Sequence, residues 1–325
     1  MANTSISVAI ATFNGERYLT EQLDSIRLQS RKPSEVIVVD DASKDGTAEL
    51  LTDYAKTYPD FPMKLYTNRE NLGYRLNFLS ALKNCTGEIQ FLCDQDDVWE
   101  SNKIEVMTEI LQKHPEISVL ASSFSLIDGK GDSLETPLRK GWSNHNFYHR
   151  EVEDNALVQV EAEELIWHNF SQGCSECFRS DIRDAFIQKY TGEIPHDWFL
   201  NLLGASSGSV WFLNRELFRY RLHEDNSLGM KVKTDTAGKM QGKYRTLEAR
   251  QSLNVIAEYK RLAPEKAAAS AVFKDAETFL ESNISNIETG KFFALLRQAG
   301  QKEYRQLKSG KAILADIGFS LRNRK

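Results

Sequence analysis

Apolar positions in the first part of the chain switch repeatedly between strand and helix periods. Residues 5–12 are an apolar, β-branched run of strand length, followed by the turn Phe13-Asn14-Gly15 and by Tyr18, Leu19, Leu23 and Ile26 at helical spacing. Residues 36–39 are apolar throughout, as in a strand covered on both faces of a parallel sheet, and they end in Asp40-Asp41. A polar turn over 42–47 leads into a helix through Leu50, Leu51 and Tyr54. A third strand (63–67), a loop (68–74), a helix (76–83) and a fourth strand (88–93) follow. This alternation predicts an α/β fold with a mainly parallel sheet.

Further along, the spacing predicts a helix over 98–114 closed by Pro115, a strand over 117–124 and a mobile loop over 129–149 beside a ligand site. Helices over 182–189 and 199–205 and a strand over 210–213 come next, and 220–229 closes the body. From about Lys239 the pattern is helical, with Leu253, Ile256, Tyr259, Leu262, Phe292, Leu295 and Leu296 in register. The expected organisation is an α/β domain over 1–230 and a basic helical region over 231–325, without internal repeats.

One stretch turns polar abruptly after its strand. Cys93-Asp94-Gln95-Asp96-Asp97-Val98-Trp99 sets three carboxylates in four positions at a strand's carboxyl end, where open α/β sheets bind ligands. Carboxylates this close raise each other's pKa unless a cation neutralises them, and oxygen donors suit a hard divalent ion such as Mg2+ or Mn2+. A solvated acidic turn that caps the next helix is the alternative. Asp40-Asp41 should open on the same sheet edge, so two acidic strand ends would frame one polar pocket. There a carboxylate can accept the imide N–H of a uracil or thymine while a metal holds a pyrophosphate, which suits a nucleoside diphosphate. Neither GxGxxG nor a Walker A loop follows the first strand, so the two commonest glycine cradles for phosphate are absent.

Composition and charge add three points. No apolar run approaches the ~20 residues of a membrane span, and the start lacks a basic region followed by an apolar one, so a cytoplasmic chain without a signal peptide is expected. Four cysteines suit a reduced compartment, and Cys174-Ser175-Glu176-Cys177, lacking a second pair, is read as structural rather than as a zinc or redox site. The net charge of -5 conceals an asymmetry: residues 231–325 carry 19 Lys and Arg against 10 Asp and Glu, and the remainder 22 against 36. A basic helical tail on an acidic body suggests an anionic partner surface, a bilayer first, with a merely solvated helical face as the alternative.

Five motifs occur in one order: Ala11-Thr12-Phe13-Asn14-Gly15, Val39-Asp40-Asp41-Ala42-Ser43-Lys44-Asp45-Gly46-Thr47, Asn71-Leu72-Gly73, Asp94-Gln95-Asp96-Asp97-Val98-Trp99 and His196-Asp197-Trp198. Together they resemble the family 2 glycosyltransferases of GT-A fold, and among them the rhamnosyltransferases that build bacterial cell-surface polysaccharides. The similarity spans roughly residues 5–229. It implies the GT-A nucleotide-diphospho-sugar transferase fold, a Rossmann-like mixed sheet, here with a C-terminal helical extension.

The resemblance also implies a sugar-nucleotide site. Thr12, Asn14 and Glu16 would line its nucleoside side, with Asn71 also toward substrate; Asp41 would read the base imide, supported by Asp40, and Asp94 would contact the ribose or sugar. Asp96 would ligate Mg2+ or Mn2+, with Asp97 as the alternative ligand and His223 near metal and diphosphate. Asp197 matches the catalytic base of inverting members, and Trp198 an acceptor-side wall. Asp197 as a helix N-cap and His223 as a surface histidine remain the structural alternatives. The implied donor is dTDP-rhamnose, with a UDP-sugar next. The implied acceptor is a glycan or a polyprenyl-diphosphate-linked glycan at the inner membrane face, with peripheral contact through the tail and no nucleic-acid partner. Ala42 replaces the more usual Gly and Cys93 a more usual Ser, both small changes that remove no required acid.

Overall fold

The computed structural model describes residues 4–138, 142, 144–147, 150–224 and 245–322. Its first half is built from four parallel strands, β1 (Ile6–Thr12), β2 (Glu35–Asp40), β3 (Met63–Thr67) and β4 (Ile89–Cys93), standing in the order β3-β2-β1-β4. The connecting helices are α1 (Leu19–Arg27), α2 (Thr47–Thr57) and α3 (Tyr74–Asn84). β2 and β4 are buried along their whole length, as their apolar runs require, whereas β3 forms the edge and exposes Lys64, Leu65, Tyr66 and Thr67. In α1, Leu19, Gln22, Leu23 and Ile26 fill one buried stripe at i, i+3, i+4 and i+7. Register sets Thr12 beside Asp40 and Ile10 beside Cys93, so the three central strands end along one edge.

The second half departs from local periodicity. Four strands, β6 (Val119–Asp128), β7 (Leu157–Val160), β8 (Glu176–Arg179) and β9 (Val210–Leu222), extend the sheet, with β8 inserted antiparallel between β4 and β6. The helix expected from residue 98 is preceded by a short strand, β5 (Val98–Trp99), which pairs with Arg219 and Phe218 of β9; helix α4 is Lys103–Lys113. The strand expected to stop at 213 continues to Leu222, carrying polar Asn214-Arg215-Glu216 past a register shift against β6 at Ser122 and Ser123. Helices α5 (Ser180–Lys189) and α6 (His196–Ser207) complete this half. The loop expected over 129–149 folds back at its start, where the Leu134 N–H bonds the Leu126 carbonyl at 2.8 Å; residues 139–141, 143, 148 and 149 lie outside the described residues, as do 225–244.

The chain divides into two compact units, Met1–Val160 with Phe170–Val232, and Glu161–Asn169 with Lys233–Lys325. The second unit is helical: α7 (Leu247–Leu262), α8 (Pro264–Ala269), α9 (Ala271–Glu288), α10 (Phe292–Gln298), α11 (Lys302–Leu307) and α12 (Gly310–Arg322). Tyr259 stacks on Phe273 at 4.7 Å, and Phe279 packs edge-on against Trp167 and Tyr304. Among the described residues no helix is long and apolar enough to cross a membrane.

Candidate active site

The carboxyl ends of β1, β2 and β4 open into a cavity of about 430 Å3 in the first unit. Thr12, Asp41, Asn71, Asp94, Asp96 and Asp197 all line it. Six of the expected residues therefore come together from segments that are distant in sequence.

Asp40, Asn14 and Glu16 lie outside the cavity wall and build the turns beneath it. Asp40 accepts from Thr12 Oγ1 at 3.2 Å, from the Ser43 N–H at 3.1 Å and from Ser43 Oγ. Asn14, at φ +50°, accepts from the Lys44 N–H at 2.8 Å, and Glu16 accepts from the Gly46 N–H at 3.0 Å. Of the three residues expected on the nucleoside side, Thr12 lines the cavity, while Asn14 and Glu16 each accept from a backbone N–H of the 42–47 turn. Asp41 is also committed: it accepts from Asn68 Nδ2 at 2.7 Å, from the Leu72 N–H at 2.9 and 3.0 Å, and from the Gly73 N–H at 2.8 Å. Gln95 pairs with both backbone groups of Phe13, at 2.8 and 3.1 Å, tying the acidic loop to the end of β1.

The acidic stretch carries more negative charge than its surroundings offset. Burial, and then Asp96, push Asp94 up to about 7, although the Cys174 thiol and Lys103 oppose the shift. Burial, Asp96 and Asp94 push Asp97 well above the carboxylate range; its Oδ1 accepts the Arg221 N–H at 3.0 Å, while Oδ2 has no hydrogen-bond partner among the described residues. Asp94, Asp97 and Cys174 bring ligand atoms within 4.8 Å of one another. Burial raises the Cys174 thiol well above its usual range, which favours the S–H form. Cys174 is thus a neighbour of the acids rather than merely a core residue, and all four cysteines are buried and free. Asp96 Oδ2 lies 2.8 Å from His223 Nε2, so these two residues, 127 apart in sequence, face each other.

Two buried cations compensate part of this charge. Lys103 is wholly buried; its Nζ donates to the Cys174 carbonyl and lies 4.3 and 4.5 Å from the ring centroids of Trp99 and Phe218. Arg221 donates from Nε to the Asp96 carbonyl at 2.7 Å and from its terminal nitrogen to Glu21 at 2.5 Å. Three carboxylates against one adjacent buried ammonium, an orphaned carboxylate oxygen and an acid held near 7 are what an oxygen-donor site for a hard divalent cation would show.

The same cavity is lined from α6, which begins at His196 with Pro195 in the cap position. Asp197 lies in the first turn and faces the cavity with His196. Trp198 is only 6% exposed and lies outside the wall formed by the described residues, because consecutive helical residues point about 100° apart and its ring turns into the core. His196 takes the wall position instead, stacked on Phe78 at 4.2 Å and against Gly173. Behind it Glu176 accepts from Ser171 Oγ at 2.7 Å and Asn201 Nδ2 at 3.0 Å, linking the segment before β8 to α6. Burial and then Asp197 push Glu176 well above its usual range, which favours its neutral form. Lys103, Arg221 and Glu176 carry no local sequence signal for a place beside the site, and Cys174 is read from the sequence as structural.

Residues 7–165 match the family model described as glycosyl transferase family 2. An uncharacterized glycosyltransferase of Rickettsia prowazekii is 36% identical over 224 residues, covering 67% of this chain and 64% of that protein. An uncharacterized protein of Mycobacterium tuberculosis is 29% identical over 222 residues, 67% of this chain and 59% of that one, so the chain spans less than two thirds of either relative. Among solved structures, S. aureus TarS 1-349 in complex with UDP aligns with a TM-score of 0.56 at 15% identity, covering 98% of this chain and 88% of that one. The mannosyltransferase PcManGT of Pyrobaculum calidifontis, in complex with GDP-Man and Mn2+, aligns with a TM-score of 0.58 at 18% identity, covering 98% and 87%. Through residues 7–165 the chain belongs to glycosyl transferase family 2, and its sheet has the GT-A fold.

Proposed function

We propose that the protein is an inverting glycosyltransferase that moves a sugar from a nucleoside-diphosphate donor to an acceptor hydroxyl. The observation that supports this reading is that Asp94, Asp96 and Asp197 line one cavity. Thr12 and Asn71 would meet the nucleoside, and Asp94 the ribose or sugar. Asp96 and His223, whose ligand atoms are 2.8 Å apart, would hold Mg2+ or Mn2+, with Asp94 and Asp97 as the other available acids. Such an ion supplies positive charge to the leaving diphosphate. Asp197 takes the proton from the acceptor hydroxyl as its oxygen bonds the anomeric carbon and the bond from that carbon to the diphosphate oxygen breaks. Attack from the face opposite the nucleotide inverts the anomeric configuration.

The resemblance to bacterial rhamnosyltransferases implies dTDP-rhamnose as donor, with a UDP-sugar next, and a glycan or polyprenyl-diphosphate-linked glycan as acceptor in surface-polysaccharide synthesis. The test is release of nucleoside diphosphate from purified protein offered dTDP-rhamnose, UDP-hexoses and GDP-mannose with Mg2+ or Mn2+. Turnover of dTDP-rhamnose alone is the expected result. Preference for a UDP-hexose would replace the donor assignment, and binding without release from any donor would make the protein a carbohydrate-binding member of the fold.

A further inference from the structure

Two helices of the second unit bury a polar residue beside an apolar one and leave large apolar side chains exposed. In α12 the buried residues are Ile313, Asp316 and Ser320, while Leu314 is 70% and Leu321 53% exposed. Asp316 is well held on the buried side: it accepts from Tyr304 Oη at 2.8 Å, from Lys308 Nζ at 2.7 Å and from Arg245 at 3.1 Å. The outward stripe reads Lys311, Leu314, Ala315, Gly318, Leu321 and Arg322, apolar with a cation at each end and no acid. α10, which packs against α12, buries Leu295 and Gln298, the latter bonding Ser282 Oγ at 2.8 Å, and leaves Phe293 66% and Leu296 51% exposed between Lys291 and Arg297. Isolated exposed leucines are ordinary, but a helix that buries its carboxylate and presents its leucines is folded for an apolar neighbour.

Charge selects the neighbour. Residues 289–325 contain nine Lys and Arg against two acids, Glu303 and Asp316; Lys308 and Asp316 are buried as an ion pair, which leaves eight cations against one acid. We propose that the outward faces of α10 and α12 lie on the surface of an anionic lipid bilayer, their Phe and Leu side chains entering the headgroup boundary and their Lys and Arg meeting lipid phosphates. This deepens the acceptor side of the proposed function, since a polyprenyl-linked acceptor resides at such a surface. It stands on the second unit alone, however, and is tested without donor or turnover, so either reading can fail while the other holds.

The test is co-sedimentation of the full chain with vesicles of phosphatidylcholine alone and of phosphatidylcholine mixed with phosphatidylglycerol. Wild-type protein should bind the anionic vesicles, weakly at high salt and little to the neutral ones. The Leu314→Ser, Leu321→Ser pair and the Phe293→Ser, Leu296→Ser pair should each lower the apparent partition constant by about tenfold or more, with an unchanged helical circular dichroism spectrum. Leu314→Trp gives a second readout, a blue shift of its added fluorescence on anionic vesicles. Equal binding by wild type and both pairs, or no shift at the new Trp, would overturn the proposal. So would the Ser pairs converting a dimer to a monomer while leaving vesicle binding intact, because the face would then belong to a second copy of the chain.

Discussion

Asp41→Asn separates two roles for one carboxylate. The sequence motifs give Asp41 the task of reading a base imide, but its two oxygens already take four hydrogen-bond contacts, from Asn68, Leu72 (twice) and Gly73. A carboxylate offers about four acceptor positions, and Asp41 is 1% exposed, so little capacity remains. In Asn one oxygen becomes an NH2 that meets the backbone N–H of Gly73 or Leu72, donor against donor. Losing one charge-assisted bond and burying the mismatch costs about 2–4 kcal/mol, which corresponds to a melting midpoint lower by roughly 5–10 °C. Thermal unfolding without any nucleotide, with amide exchange at Leu72 and Gly73, reads this directly. Faster exchange at both amides should accompany the lower midpoint. An unchanged midpoint and unchanged protection, with only donor KM weakened, would refute the loop-organising role and return Asp41 to the base.

Three further substitutions test the frame around the site. Glu35 sits among Ser7, Thr86 and Lys64; burial pushes it up, but their hydrogen bonds more than offset this and hold it at about 2. A depressed carboxylate stabilises above its unfolded pKa and loses that contribution as pH falls through about 2, so Glu35→Gln should cost about 1–3 kcal/mol at neutral pH and flatten the acid limb; parallel acid limbs would contradict it. Gly173→Ala would set a methyl 2.5 Å from His196 Nε2, whose ring is pinned on Phe78, so stability should drop by about 1–3 kcal/mol and donor binding should weaken, as read by melting and calorimetry; wild-type values in both would show that the wall is slack. Lys103→Met removes the buried ammonium beside Asp94 and Asp97 and should lower stability by about 2–4 kcal/mol, measured by urea unfolding; a neutral or stabilising effect would show that the acids do not depend on it.

The parallel half of the sheet was legible because its strands announce themselves locally. Residues 36–39 could only be a strand covered on both faces, and the acids that end β2 and β4 had to open on one edge once the strands were parallel. β8 and the long β9 were not, since their partners are fixed by tertiary pairing: β8 is four residues long and β9 carries Asn214-Arg215-Glu216 where a periodic strand would be interrupted. β5 read as the start of a helix because two residues carry no period, and its pairing with Arg219 and Phe218 decides the matter. Within the site, Asp94, Asp96 and Asp197 could be named from strand-end and motif position. The resemblance implies Trp198 as an acceptor-side wall; in the structure its side chain is buried and His196 lines the cavity beside Asp197. Lys103, Arg221 and Glu176 are interior charges whose significance lies wholly in partners far along the chain, so no local pattern marks them.

The central claim is that Asp197 deprotonates the acceptor within a donor site completed by Asp94 and Asp96. Asp197→Asn keeps the shape of the first turn of α6 while removing the base. Donor affinity by calorimetry should therefore be unchanged, while transfer to acceptor falls by about 10²–10⁴-fold. Transfer at the wild-type rate by Asp197→Asn would contradict the account.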